Sequence, residues 1–153
     1  MELVIGSHVS FSKDKQLVGS VLESLEYKSN TFMFYTGAPQ NTVRVPINND
    51  LTQQALELME KNNIDIKDVI VHAPYIINLA NPKTHEFSVQ FLKQELKRVE
   101  QLKATKLVLH PGSHVGCGVE DGIQNIIEGL NEVLTLDSKV TICIETMAEK
   151  EQR

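Results

Sequence analysis

VIVHAPYIINLANPKTHEFSVQFLKQELKRVEQLKATKLVLHPGSH, residues 69–114, holds two short apolar runs with an amphipathic segment between them. Val69-Ile70-Val71 runs straight into His72, and Lys106-Leu107-Val108-Leu109 runs straight into His110. Short, almost continuously apolar runs of this kind are how strands covered on both faces of a parallel sheet read. Between them Phe87, Phe91, Leu92, Leu96, Val99 and Leu102 share one helical face, which leaves Lys93, Glu95, Lys97 and Arg98 on the solvent side. Strand, helix and strand in that order make one βαβ unit.

The same alternation extends in both directions. Leu3-Val4-Ile5, closed by Gly6, and Thr31-Phe32-Met33-Phe34-Tyr35, ending at Thr36-Gly37, read as earlier strands; Val140-Thr141-Ile142-Cys143-Ile144 reads as a later one. Leu17, Val18, Val21, Leu22 and Leu25 form a helical stripe, as do Leu51, Ala55, Leu58 and Met59. Ile123, Ile126, Ile127, Leu130, Val133 and Leu134 form another. Asn49-Asp50 and Thr84 are placed to cap the second and third helices. The chain is therefore α/β, with about five parallel strands and four helices at the spacing of βαβ units. Two architectures fit: an open doubly wound sheet, or part of a (β/α)₈ barrel, which typically needs about 250 residues.

Composition narrows the class. The chain has 153 residues, 41% of them hydrophobic, and 20 acidic against 15 basic side chains, a net charge of −5. That apolar content excludes a disordered tail, and two cysteines cannot staple a chain of this length. No apolar run approaches the roughly 18–20 residues of a membrane span. Met1-Glu-Leu-Val-Ile-Gly6 lacks the basic region of a signal peptide. A soluble, cytoplasmic protein with reduced thiols and no membrane partner is expected. The acidic balance weighs against broad nucleic-acid binding but leaves room for a local basic groove.

In parallel α/β folds the chemistry gathers at the C-terminal strand ends. Here strand one exits into Gly6-Ser7-His8, strand two into Thr36-Gly37, strand three into His72, strand four into His110 and strand five into Glu145. A lone histidine at a strand end is more often a hydrogen-bonded structural residue. Two histidines and a glutamate on neighbouring exits would instead converge. Three such ligands with an open position describe a catalytic zinc site, which makes hydroxide available near neutral pH. His114 and Cys117 are a rival metal pair, disfavoured because no further cysteine-rich pair accompanies them. His85 reads as solvated and Cys143 as a small core residue. Tyr75, Ile76 and Ile77 follow His72 in a loop. They either cover the barrel top or act as a wedge that enters a base stack, and the spacing favours the cover.

Five ordered motifs carry a more specific resemblance: Gly6-Ser-His-Val-Ser10, Phe34-Tyr-Thr-Gly-Ala-Pro-Gln-Asn41, His72-Ala-Pro-Tyr-Ile-Ile-Asn-Leu79, His110-Pro-Gly-Ser-His114 and Ile144-Glu-Thr-Met-Ala148. Together they closely resemble the N-terminal half of the endonuclease IV family of apurinic/apyrimidinic endonucleases. The resemblance implies a TIM barrel, a cluster of three zinc ions, and hydrolysis of the phosphodiester 5′ to an abasic site in double-stranded DNA during base excision repair. It implies that His72 and His110 ligate one zinc and that Glu145 bridges it to a second. It implies that Tyr75 and Ile76 enter the DNA. Gln40 matches another inserted position, often arginine in the family, and His8 and His114 match rim residues that support the ligands. It also implies that residues 1–153 are the N-terminal part of one barrel domain, with 149–153 a divergent tail where the family has a glycine-containing continuation. On that expectation the remaining strands and ligands lie outside the chain, through a split or frameshifted gene. The chain alone would hold at most one zinc, and its open edges would favour self-association or a complementary C-terminal fragment. Two rivals are a metal-dependent sugar isomerase-like barrel, which uses similar rim residues, and a non-catalytic fragment.

Overall fold

The computed structural model describes residues 3–146. Met147 and Ala148 of the last motif, and the tail 149–153, lie outside the described residues. Strands and helices alternate: β1 (Gly6–His8), α1 (Gln16–Glu26), β2 (Thr31–Phe34), α2 (Asn49–Lys61), β3 (Ile70–His72), α3 (His85–Gln101), β4 (Lys106–Leu109), α4 (Val119–Val133) and β5 (Thr141–Ile144). A short 3₁₀ turn, Ile66–Asp68, leads into β3.

Every strand pair is parallel, and the order across the sheet is β1-β2-β3-β4-β5. That order decides between the two architectures. A doubly wound sheet reverses its strand order at a switch point, whereas a barrel wall adds each new strand on the same side. Right-handed crossovers then put the helices together on one face. The described residues are a five-stranded section of a TIM-barrel wall.

The core lies between that face and the helices. Phe32, Phe34, Val71, Leu107 and Leu109 are buried there with Leu17, Val21, Met59, Leu92 and Val99. The alternate residues Thr31, Met33, Ile70, Lys106 and Val108 are only half-buried. The runs expected to be covered on both faces are thus fully covered on one. The other face of a barrel wall is filled by strands from across the barrel, and helices on one side cannot reach it.

Further departures have local causes. The first strand is Gly6–His8, not Leu3–Ile5. Leu3 is 72% exposed, and residues 3–5 are held by Asn30, whose Nδ2 donates to the Leu3 carbonyl and whose Oδ1 accepts from the Ile5 amide. Ladder pairing starts at Gly6, which faces Thr31 too closely for a side chain: a Cβ there would meet the Thr31 carbonyl oxygen at 2.1 Å. Asn48, one residue ahead of the expected cap, closes α2 by accepting from the Asp50 and Leu51 amides. Thr84 occupies the cap position of α3 but makes no side-chain cap bond. The polar side of α3 is not all solvent: Glu95 and Arg98 are buried, Glu95 completely, because both pair with the β2–α2 loop.

Candidate metal centre at the strand ends

His72 is the last residue of β3, His110 follows β4, and Glu145 follows β5. Ladder bonding continues to that point, since the Glu145 amide donates to the Leu109 carbonyl. Registry therefore carries the three side chains to one spot. His72 Nε2 stands 2.9 Å from Glu145 Oε2 and His110 Nε2 stands 3.2 Å from the same oxygen. One donor atom from each of the three lies within 4.8 Å of the others. Ligands at zinc bond lengths of about 2.1 Å in a tetrahedron are themselves about 3.4 Å apart, so the spacing fits one ion.

The hydrogen-bond chemistry points the same way. His72 Nδ1 lies 2.7 Å from the Ala73 carbonyl, which can only accept, so Nδ1 carries a hydrogen. Nε2 is left facing a carboxylate oxygen. A neutral ring would set a lone pair against that oxygen, and a cation between them, either a proton or a metal, removes the conflict. A carbonyl fixing the other ring nitrogen is the usual support for a ligating histidine. The hydrogen bond with His72 holds the Glu145 carboxyl below the usual carboxylate range, against an opposing effect of burial; the nearby His110 lowers it further. Glu145 remains 45% exposed, so the site is open on one side.

Two more rings extend the arc. Tyr35 packs against His72 with centroids 4.9 Å apart, and His8 meets Tyr35 edge-on at 5.3 Å. His72 in turn meets His110 edge-on at 5.1 Å. His8 thus sits beside the ligands without reaching them. Sequence reasoning did not single out Tyr35, although it leaves β2 at the rim position that His110 and Glu145 take on their strands. Burial pushes its phenol up, and the Glu145 charge adds to that.

Loops frame this rim. Ile77 is buried in the core, Ile76 is half-buried and Tyr75 is 53% exposed, so the expected apolar cover divides, with its tyrosine outward. Asn78 ties this loop to the next: its Nδ2 donates to the Ser113 carbonyl and its Oδ1 accepts from the Ser113 amide. Gly112, at φ 96°, permits the approach, because a Cβ would stand 2.2 Å from Asn78 Oδ1. Gln40 is exposed in the β2–α2 loop. His114 lies away from the ligand group; its Nδ1 accepts from the Gly116 and Gly118 amides and so shapes the turn into α4. Cys117 makes only long sulfur contacts to the Ala80 and Gly118 carbonyls and is outside the ligand group. His85 is not simply solvated, since its Nδ1 donates to the Leu79 carbonyl.

A parallel wall with a His, His and Glu group at its strand ends could hold a metal ion, and the chain belongs to the xylose isomerase-like TIM barrel family, whose model matches residues 23–153. Within that family its likeness is to endonuclease IV. "Probable endonuclease 4" of Staphylococcus aureus (strain JH9) is 52% identical over 151 residues, covering 97% of this chain and 50% of the relative. The protein of the same name from Exiguobacterium sibiricum is 56% identical over 150 residues, covering 95% and 50%. The crystal structure of endonuclease IV from Thermus thermophilus matches with a TM-score of 0.76 at 20% identity, over 97% of this chain and 54% of that one, which bears on the fold. The chain spans about half the length of the curated relatives it matches. Among the described residues no helix is long and apolar enough to cross a membrane.

Proposed function

We propose that this chain is the N-terminal part of a zinc-dependent DNA repair endonuclease that hydrolyses the phosphodiester 5′ to abasic sites. The observation that carries the reading is the meeting of His72, His110 and Glu145 on three adjacent strand ends, in a chain 52% and 56% identical to proteins named "Probable endonuclease 4". His72 and His110 would hold zinc through Nε2, and Glu145 through a carboxylate oxygen. Zinc bound there supplies Lewis-acid stabilisation of the phosphodiester oxygens and a hydrolytic water near neutral pH.

The chain's own residues prepare this. The Ala73 carbonyl orients His72. Tyr35 walls the ligands on one side. Tyr75 stands exposed in the loop that follows His72, where an aromatic ring can replace a base in the stack and hold a lesion open. Ile76 packs against the core behind that loop, and Gln40 is exposed in the β2–α2 loop. Net charge gives little long-range attraction to DNA, so recognition rests on these local contacts. On this reading the three ligands are one portion of a larger cluster, and a complementary C-terminal fragment would bring the rest. The cytoplasm is the expected compartment.

The test is incision of a labelled duplex bearing one abasic site, with zinc and with chelator, by the chain alone and with the C-terminal half of a relative added. Zinc-dependent cleavage 5′ to the lesion, abolished by His72→Ala, His110→Ala or Glu145→Gln, is the expected result. Isomerisation or epimerisation of free sugars without any incision would overturn it in favour of the sugar-converting members of the fold.

A further inference from the structure

A fully buried carboxylate stands on α3 where an apolar side chain would serve the core equally well. Glu95 Oε1 accepts from Arg44 Nε at 2.6 Å, and its Oε2 accepts from the Thr36 hydroxyl at 2.7 Å. Arg98, one turn later, donates from Nε to the Thr36 hydroxyl oxygen, from Nη2 to the Thr36 carbonyl and from Nη1 to the Val45 carbonyl. Arg44 Nη1 reaches the carbonyls of Ala38, Asn41 and Val43 at 2.9–3.2 Å. Its guanidinium also lies over the Phe91 ring, 4.9 Å from the centroid. Gly37 makes room for it, since a Cβ there would meet Arg44 Nη1 at 2.8 Å.

These contacts have one target. Between β2 and α2, residues 35–48 form no regular structure. A loop of this length cannot satisfy its own carbonyls through a ladder, and long ordered loops in compact domains are usually functional. Two guanidiniums take up the carbonyls of Thr36, Ala38, Asn41, Val43 and Val45. Gln40 lies exposed between two of the pinned positions. Stability alone does not account for this choice, because well-packed apolar residues commonly replace a buried ion pair at no loss. What the charges specify is shape, since each pinned carbonyl fixes one point of the loop relative to α3. Thr36 carries that order directly to Tyr35, which packs on the metal ligand His72.

We propose that Glu95, Arg98 and Arg44 are positioning residues, which hold the β2–α2 loop in the conformation that presents Gln40 to duplex DNA, in the loop that leaves the same strand-end rim as His72, His110 and Glu145. The DNA part of this proposal rests on the endonuclease reading above. The ordering of the loop does not, and the two are separable by experiment.

The variants are Glu95→Gln, which keeps the shape and removes the charge, and Arg98→Met, which keeps the stem. Amide hydrogen exchange over residues 37–45, zinc affinity and affinity for an abasic duplex are read on each in the full chain. Expected are a cooperative fold, zinc affinity within about twofold of the parent, and amide exchange about tenfold faster confined to 37–45. Duplex affinity should fall about tenfold, matching Gln40→Ala, and the Gln40→Ala/Glu95→Gln double variant should bind no more weakly than either single one. Additive losses, or unchanged affinity in Glu95→Gln where Gln40→Ala loses it, would overturn the proposal. If the parent chain binds no abasic duplex even with the C-terminal half of a relative added, the endonuclease reading fails and exchange alone decides. Faster exchange confined to the loop then upholds the positioning role, and exchange unchanged in the loop or raised equally along α3 overturns it.

Discussion

α3 and α4 are neighbours with similar apolar periodicity and opposite fates. α3 buries Ser88, Val89, Phe91, Leu92, Glu95, Leu96, Arg98 and Val99, so one broad face is covered while Glu86, Gln90, Gln94 and Lys97 keep the opposite face in solvent. α4 buries only Gly122, Gly129 and Val133 completely, and Ile123 and Ile127 stay 52% and 46% exposed. The sequence stripe of α4 is the cleaner of the two, yet its burial is the poorer. Periodicity states which face a helix can bury, and coverage depends on what stands opposite. α3 lies between the β2–α2 loop, the sheet and α4; α4 meets α3 through Lys93–Glu132 and leaves its outer isoleucines about half exposed.

The sharpest break of the comparison is at Glu95. Glu95→Ala leaves the buried Arg44 guanidinium without its carboxylate and the Thr36 hydroxyl without its acceptor, and should cost about 3–5 kcal/mol in chemical denaturation. Leu92→Ala, a cavity in the same helix, should cost about 2–5 kcal/mol. Zinc should reduce the contrast between the halves, because His72 and Glu145 would clamp β3 to the chain beyond α4. At a free concentration of about 100 times Kd it should add about 2.7 kcal/mol and slow amide exchange in α4 more than in α3, an effect that chelator reverses.

Glu23 offers a smaller test on α1. The Ser10 amide donates to it at 2.8 Å and holds its carboxyl below the usual range, with burial opposing. A depressed carboxylate stabilises the fold above its unfolded pKa and loses that contribution as pH falls through the folded value. Glu23→Gln should therefore cost about 1 kcal/mol or less at pH 7, and the difference should shrink as pH falls below about 4 and be gone only below the folded value. Least of all, Ile127→Ala on α4 should change stability by about 0.5 kcal/mol or less if that face is free. A cost like that of Leu92→Ala would reveal a partner covering it.

The contrast also marks what the sequence makes legible. Strand positions are readable because short β-branched runs repeat at βαβ spacing, and the rim follows because register makes every strand end a landmark. That is why His72, His110 and Glu145 can be picked out before any coordinates. Glu95 and Arg98 cannot be, because charges on an amphipathic helix read as its wet side. Their partners Thr36 and Arg44 are more than 50 positions away in the chain. Tyr35 is hidden for a different reason: an aromatic residue at the end of an apolar run reads as more strand. Leu3-Val4-Ile5 misleads because a run of apolar residues signals a strand whether or not a ladder partner is there, and the side chain of Asn30 holds it instead.

The most direct test of the central claim is a zinc titration of the chain against a competing chromophoric chelator, with X-ray absorption on the loaded protein. One equivalent held by nitrogen and oxygen ligands is expected, lost in His72→Ala, His110→Ala and Glu145→Gln while the circular dichroism spectrum stays that of the parent. Undiminished binding in those three folded variants, or sulfur in the coordination shell, would contradict it and move the metal away from the strand ends.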